Sequence, residues 1–350
     1  MLENRHPKRL WPWYCWLAAF YVCWLVLVSR DGAFSSALMH WPIAVAMALG
    51  SYAAGSTPMG GGTVGFPVLV LLFDQPATLG RDFSFAVQSI GMVSASIFIL
   101  ARRQPIAWSM LKGSMIGSVV GLPIGILLVA PMIPDIWIKL VFAVLWGSFG
   151  LLHLYRIGEI SSHSGMTEFD EQWDLRVGFM LGVLASSLFV SVTGVGIDML
   201  IYAALVLLCR SDLKIAIPTS VIVMAFNSLV GVVIKSATHT WQPGVYENWL
   251  AAAPVVALGA PLGVFIVEFI GRKSTLLVVG GLCIAQLVWT CYRESAYLGP
   301  VGLWITAVAV LACLMVLEWL RFLGMRLVDK NRQRLELVRK HRLAHAPHGS

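Results

Sequence analysis

The chain has 350 residues, of which 58% are hydrophobic and 12% are charged, and its formal net charge is +7. Soluble domains carry about 25% charged residues. This composition, with a mean hydropathy of +0.79, therefore excludes a soluble protein and indicates a polytopic membrane protein. The six cysteines form no CxxC pair and lie mostly in apolar runs, which predicts buried thiols, no metal site and no cofactor.

The first apolar run begins at Trp11 and follows the basic residues Arg5, Lys8 and Arg9. It is longer than the apolar core of a signal peptide and lacks a small-x-small cleavage pattern, so we predict a retained anchor helix within residues 1–40. The basic residues before it predict a cytoplasmic N-terminus. Further runs of about 20 residues, the length that crosses a bilayer, begin at Phe83, Ser109, Ile136, Ile215, Leu250, Leu276 and Val301.

Two other apolar segments, at about 42–73 and 177–208, are too long for one upright span and are interrupted by glycine. The first reads GSTPMGGGTVGFP over 55–67, and the second reads VSVTGVGID over 190–198. Downstream of each copy lies the same glycine pair at nearly the same offset, Gly121 and Gly125 in one half and Gly259 and Gly263 in the other. Interrupted hydrophobic segments in matching positions of two halves point to the substrate site of a secondary transporter.

The distribution of lysine and arginine predicts the topology. If each interrupted segment is a hairpin, the basic loops 102–103, 156–176, 209–214 and 271–273 all lie on one side, as cytoplasmic loops do. If each segment crossed once, 102–103 would lie outside, so we favour hairpins. The predicted fold is an all-α membrane protein of two inverted repeats, with about eight full spans and two glycine-broken hairpins, in the plasma membrane.

The predicted organisation follows from these hairpins, with the first repeat entering from outside and the second from inside. Both termini are then cytoplasmic. In chain order the segments are the anchor helix 1–40, the first repeat 41–156, a cytoplasmic linker 157–176, the second repeat 177–293, a last transmembrane helix 294–325 and a basic cytoplasmic tail 326–350.

The glycine breaks are predicted to form an anion site. Irregular backbone is tolerated inside a membrane only where protein or a water-filled cavity shields it, and a helix N-terminus carries about half a positive charge that suits anions. Close helix packing is the alternative for these glycines; we favour packing for the downstream pairs and binding for the three consecutive glycines. The predicted substrate-binding residues are Ser56, Thr57, Gly60, Gly61, Gly62 and Thr63, at the start of a half-helix near Thr63, and Ser191, Thr193, Gly194 and Gly196 facing them.

Asp198 is an ionisable residue inside an apolar run, which is a functional hypothesis by default. It is predicted to couple proton movement to transport, or to cap a half-helix that starts at Met199, and both roles remain open. Gln88, Asn227 and Gln286 are polar residues in spans that line the path or form interhelical hydrogen bonds. The histidines lie near loops or span ends, where a buried metal centre is not expected: His40, His153, His163 and His239.

A third motif follows the second hairpin: Ala-Ile-Pro-Thr-Ser over 216–220 and then Asn227-Ser228. Together with the duplicated hairpins it resembles the TauE/SafE sulfite exporter family over about 42–293. The resemblance implies transport of small sulfur-containing or organic anions such as sulfite or sulfonates, with Thr219, Ser220 and Asn227 as further substrate-binding residues. Asp198 departs from the family's pattern, which has an apolar or small residue at this position. A carboxylate there repels an anion unless it is protonated.

Two rival functions are weighed against anion transport. A proton- or cation-coupled carrier of another small metabolite would use the same scaffold and assign Asp198 to the cation. A membrane-embedded enzyme is disfavoured because the sequence has no HExxH, no GxSxG and no paired carboxylates in the spans. The basic tail lies on anionic lipids of the inner leaflet or acts as a solvated topological anchor, and no soluble module accompanies it that would bind nucleic acid.

Overall fold

A computed structural model of the protein describes residues 10–30, 32–167 and 169–344, without the side chains of 62, 268 and 332–344. Within these ranges all regular structure is helical, and nine helices are long and apolar enough to cross a membrane. The predicted class, an all-α polytopic membrane protein, is confirmed.

Fourteen helices follow one another along the described chain, and several continue for one π-helical turn. They are α1 (Trp11–Val28), α2 (Ala33–Met39), α3 (Trp41–Ser56), α4 (Gly62–Pro67, continued over Val68–Leu72), α5 (Ala77–Ala101), α6 (Trp108–Ile124, continued to Met132), α7 (Asp135–Ile160), α8 (Glu171–Ala185, continued over Ser186–Val190), α9 (Ser191–Thr193), α10 (Ile197–Ala203, continued over Ala204–Leu208), α11 (Leu213–Ala237), α12 (Val245–Ile270), α13 (Arg272–Arg293) and α14 (Ser295–Ala344).

The predicted N-terminal anchor consists of two helices. The apolar run forms α1, and α2 is a separate short helix that meets α3 at an angle of 67°. The Trp13 indole on α1 donates a hydrogen bond of 3.0 Å to Ser94 Oγ on α5, which fastens α1 to the bundle. Arg5, Lys8 and Arg9, which predict the orientation, lie outside the described residues, as do 345–350 and the basic side chains beyond Asn331 in the predicted tail.

The bundle has two ends, each identified by residues that come together there. Gln104, Ser161, Asp212 and Gly271 line one cavity and mark what we call the basic end. The other end of the bundle is called the opposite end. There Arg293 pairs with Asp74, and the Ala77 N–H donates a hydrogen bond of 3.0 Å to Asp135 Oδ2.

The first interrupted segment is a hairpin made of α3 and α4. A methyl group on Gly50 would lie 2.9 Å from Val64 Cβ, and one on Gly65 would lie 2.9 Å from Met47 Sδ, so the two arms run in opposite directions. The chain leaves α4 at Asp74, at the opposite end.

The second interrupted segment, α8 to α10, is also a hairpin. The Thr167 N–H donates to Cys209 O at 3.1 Å, so the chain returns to the point from which α8 departs, at the basic end. The first arm, Glu171–Thr193, is 23 residues long and counts as a span itself, because α8 starts before the apolar run. The described residues therefore contain nine long apolar helices where the sequence predicts about eight.

Glycine faces join each repeat to the hairpin of the other. On α6, the missing side chains of Gly113, Gly117 and Gly121 let the backbone of α8 approach closely. On α12, Gly259 and Gly263 receive Ser51 and Tyr52 of α3 in the same way. The packing role predicted for the downstream glycine pairs is confirmed. The exchange of contacts and the opposite departure points of the hairpins are compatible with inverted repeats.

Candidate functional site

The two glycine breaks meet in the middle of the bundle, and Gln88 connects them. Gln88 lies halfway along α5, and its Nε2 donates to Ser84 O at 3.0 Å and to Gly194 O at 3.1 Å. A methyl group on Gly60 would lie 2.5 Å from Gln88 Oε1 and 2.7 Å from Asp198 Oδ2. These contacts gather residues of both halves of the chain around Gly60.

The first break exposes backbone donors at the start of α4. Gly60 has a φ of +62°, a left-handed conformation that glycine adopts without strain. The helical hydrogen bonds begin with the Thr63 N–H, which donates to Gly60 O at 3.3 Å. The N–H groups of Gly61 and Gly62 precede that bond and point out of the helix N-terminus, where the helix dipole is positive.

The second break is arranged differently, because a carboxylate occupies its helix start. Helix α10 begins at Ile197, two residues earlier than the predicted start at Met199, so Asp198 lies in the first turn and not at the cap position. Its Oδ1 accepts from the Gly196 N–H at 3.2 Å and from the Met199 N–H at 3.0 Å. Asp198 is fully buried, and no described group donates to its Oδ2. Oδ1 therefore accepts the hydrogen bonds at the start of α10, and Oδ2 remains available for a different interaction.

The hydroxyl groups predicted beside the breaks donate to backbone carbonyls. Thr57 Oγ1 donates to Ala53 O at 2.7 Å, and Ser191 Oγ donates to Ser187 O at 2.7 Å. Ser56, Thr63 and Thr193 also donate to carbonyls of the preceding turn. The preceding turn offers the nearest acceptor in a dry interior. In this conformation the donors at the site are backbone N–H groups, and the hydroxyls present lone pairs.

The residues named from the motif after the second hairpin lie on α11 at two levels. Thr219 Oγ1 accepts from the Ala107 N–H at 3.0 Å, near the α5–α6 loop, and Ser220 donates to Ile217 O. Asn227 Nδ2 donates to Ser118 Oγ at 2.8 Å, and its Oδ1 accepts from Ser186 Oγ at 2.7 Å. Among the described contacts, the hydrogen bonds of these three side chains do not reach the cluster around Gly60.

Cavities lie at the centre and at both ends of the α5–α11 pair. The central one, beside Gly61 and Gln88, measures about 10 Å³, the space of one water. A cavity of about 560 Å³ at the basic end is lined by Lys214, Arg272 and Lys273 with Asp212. A cavity of about 640 Å³ at the other end of α11 is lined by α5, α11, the loop between α11 and α12, and the start of α12.

A comparison with protein families identifies the family of this chain. A family model described as "Sulfite exporter TauE/SafE" matches residues 43–290, which contain both breaks and all helices between them. The chain belongs to the TauE/SafE sulfite exporter family. It is therefore a multi-pass membrane transporter. No curated protein and no solved structure matched the chain.

Trp146 is a residue of this TauE/SafE transporter that the sequence analysis missed. Its indole Nε1 donates to Thr63 Oγ1 at 2.8 Å, next to the first break. A methyl group on Gly196, in the second break, would lie 3.3 Å from the rim of the same indole. Trp146 thus contacts both breaks from α7. Nothing in the sequence distinguishes this tryptophan from the others in apolar runs.

A buried charge cluster near the opposite end was also missed. Asp82 accepts from Arg81 Nε at 2.9 Å, from Lys235 Nζ at 2.9 Å and from the Gln242 N–H at 3.1 Å. Lys235 is only 3% exposed. It lies in the last turn of α11. The adjacent Arg81-Asp82 pair before an apolar run was the available signal.

His153 corrects another prediction about the TauE/SafE chain. Its position in the sequence predicts a place near a span end, but it is 2% exposed on α7. Its Nε2 lies 3.1 Å from the Tyr202 hydroxyl, and its Nδ1 lies 2.8 Å from Phe149 O. Both ring nitrogens are thus engaged. Among the described residues, no three His, Cys, Asp or Glu side chains are grouped as metal ligands.

Proposed function

We propose that this TauE/SafE transporter moves small anions such as sulfite, sulfonates or related organic anions across the plasma membrane by alternating access. The observation that carries the proposal is the meeting of the two glycine breaks, with the N-terminus of α4 and the Asp198 carboxyl group on either side of Gly60. A helix N-terminus binds anions through its free N–H groups, and broken helices at the middle of a transporter are where substrates bind.

The anion binds at α4 and not at α10. The N-terminal N–H groups of α10 are already engaged by Asp198 Oδ1, whereas those of Gly61 and Gly62 precede the hydrogen bonds of α4. Thr63 lies beside these groups, and Ser191, Thr193, Gly194 and Gly196 form the facing wall of the site. The remaining proposed substrate-binding residues contact the substrate along the path as the two repeats move. They are Ser56, Thr57, Thr219, Ser220 and Asn227.

Proton coupling follows from the carboxyl group beside this site. An ionised Asp198 repels an anion bound a few ångströms away, and a neutral Asp198 does not. We propose that Asp198 takes up one proton when the anion binds, so that proton and anion cross together. The second candidate function, a proton- or cation-coupled carrier of a different metabolite, is favoured by the same carboxyl group.

Alternating access follows from the sizes of the cavities. The central cavity of about 10 Å³ has room for one water, so sulfite reaches the site only when the repeats separate on one side. We propose that the basic end is cytoplasmic, with both chain termini on that side. Lys214, Arg272 and Lys273 then raise the local concentration of anions at the inner cavity. The basic tail is proposed to lie on anionic lipids.

Sulfite flux in proteoliposomes tests the anion site when Gly61 is substituted. A methyl group on Gly61 would meet its nearest neighbour, Met47 Cε, at 3.5 Å, which is ordinary contact. Gly61→Ala is therefore expected to retain most of the flux, whereas Gly61→Leu fills the central cavity and blocks approach to the N–H groups. Equal flux in the Leu variant and the wild type would contradict the site. A thermal-shift panel of sulfite, sulfonates, carboxylates and metal ions separates the two candidate functions.

The pH dependence of flux tests the coupling role of Asp198. Asp198→Asn keeps a side-chain oxygen for the Gly196 and Met199 N–H groups, so it is expected to fold, bind sulfite and lose the pH dependence. Asp198→Ala removes that oxygen and is expected to be less stable by about 1 kcal/mol. An unchanged pH profile in the Asn variant would make Asp198 structural.

A further inference from the structure

Gln88 is held in one orientation by the second break. Its amide nitrogen donates to two carbonyl oxygens, Ser84 O and Gly194 O. A flipped amide would turn its oxygen toward both carbonyls, so the hydrogen bonds determine which atom faces the centre. The side chain is 1% exposed, and Oε1 faces the space beside Gly60.

Asp198 Oδ2 faces the same space from the other repeat. Gln88 Oε1 and Asp198 Oδ2 lie 2.5 Å and 2.7 Å from the position of one methyl group on Gly60. Both oxygens are buried, and no described group donates a hydrogen bond to either of them. Two lone-pair oxygens beside the same gap in a dry interior repel one another, and a buried acceptor without a donor is unfavourable. A positive charge or a proton between them removes both penalties.

We infer that the coupling proton resides between Asp198 Oδ2 and Gln88 Oε1, with Gln88 as the residue that accepts its hydrogen bond. This inference rests on the proposed proton coupling and adds a partner to it. On loading, the carboxylate takes one proton from solution, an O–H bond forms at Oδ2, and that O–H donates to Oε1. On release the O–H bond breaks and the proton returns to the solution on the other side. Sodium fits the gap less well, since sodium needs more oxygen ligands than these two.

Four titratable groups buried on the helices around Asp198 are engaged with other partners. Arg81 on α5 and Lys235 on α11 pair with Asp82, and His153 on α7 contacts Tyr202 on α10. Cys283 on α13 lies against Met59. None of these contacts involves Oδ2.

Because Gln88 and Gly60 belong to the first repeat and Asp198 to the second, the proton bridges the two repeats. When the proton leaves, the attraction across Gly60 becomes repulsion between Oδ2 and Oε1. This repulsion favours separation of the two repeats, which is the movement that alternating access requires. Loading with a proton favours the closed arrangement.

Infrared spectroscopy of the purified full-length protein tests the proton position without any substrate. The carbonyl stretch of a protonated carboxyl group is distinct from the carboxylate stretch and moves to higher frequency when its O–H loses an acceptor. We expect a carbonyl band of a protonated carboxyl group that responds to pH and is absent from Asp198→Asn. In Gln88→Leu this band is expected to move to higher frequency. The matched control is Gln286→Leu, which removes a half-buried amide on α13 and is expected to leave the band in place.

A band that Gln88→Leu does not move would overturn the inference, even if sulfite transport is confirmed. A carboxylate band that responds to NaCl and not to pH would place sodium in the gap and overturn it as well. Absent sulfite flux with an intact band shift would instead reject the proposed substrate and leave the proton site standing.

An exchange of the two side chains provides the second test. In proteoliposomes, Asp198→Asn is expected to lose the stimulation of sulfite flux by a pH gradient. The double variant Gln88→Glu/Asp198→Asn restores one carboxyl group and one amide across Gly60 and is expected to regain it. A capping role of Asp198 alone would not be rescued by a carboxyl group on α5, so a double variant without stimulation contradicts the inference.

Discussion

At the scale of single residues, a buried cluster of charges outside the site consists of Arg81, Asp82 and Lys235. Asp82 is fully buried and binds both cations as well as the Gln242 N–H. It thereby ties α5, α11 and the loop after α11 together. Burying charges is costly, so their mutual pairing is what makes the arrangement tolerable, and removal of Asp82 would leave two buried cations without this counter-charge.

We predict that Lys235→Met lowers the free energy of unfolding by about 2 kcal/mol, because Asp82 Oδ2 loses a hydrogen bond from a charged donor. Thermal unfolding of the detergent-solubilised protein measures the effect. Lys214→Met on the same helix is the control, since Lys214 is exposed and its substitution is expected to change stability little. Equal effects of the two substitutions would show that the buried pair contributes no more than a surface lysine.

At the scale of helices, the glycine faces decide which helices pack together. Gly113, Gly117 and Gly121 lie four residues apart on α6, and the backbone of α8 comes so near that no side chain fits between. In a membrane, where the surrounding lipid is as apolar as leucine, such close backbone contact is a main source of helix association. Close contact at Gly259 and Gly263 joins α12 to α3 in the same way.

The α6–α8 contact is tested by Gly117→Ala. The added methyl group would meet Phe179 O and Val183 N of α8, so the helices must separate, and we expect a loss of about 2 kcal/mol or more. Gly281→Ala on α13 is the control, because no atom lies within 4 Å of its methyl position. Its higher helix propensity is expected to leave stability unchanged or raise it by up to about 1 kcal/mol. Unfolding temperatures that do not separate the two variants would contradict the packing role.

At the scale of the whole molecule, the antiparallel pairing of corresponding helices organises the bundle. On α5 and α11, Asp82 contacts Lys235 while Phe85 packs against Gly231, so the two helices run in opposite directions. Helices α7 and α13 pair in the same manner, with Gly147 against Leu287 and Gly150 against Gly280. A two-fold axis in the membrane plane relates helices that run in opposite directions, so these pairings are compatible with inverted repeats.

The orientation of this bundle is tested by labelling single cysteines, introduced after the six native cysteines are replaced. Arg103→Cys at the basic end is expected to resist an impermeant maleimide added to intact cells, because basic loops stay in the cytoplasm. Met132→Cys, 79% exposed at the far end of the span that follows this loop, is expected to react. Reaction at position 103 and protection at position 132 would invert the proposed topology.

The sequence by itself determined the membrane class, both hairpins and the glycine breaks, because these depend on apolar length, basic loops and backbone freedom, which are local properties of the chain. It also identified Asp198, since an isolated carboxyl group in an apolar run is visible without a fold. The roles of Gln88 and Trp146 were decided only by the tertiary structure. Their partners are more than 80 residues away in the chain, and no local pattern records which polar or aromatic residue of a span will face a distant break.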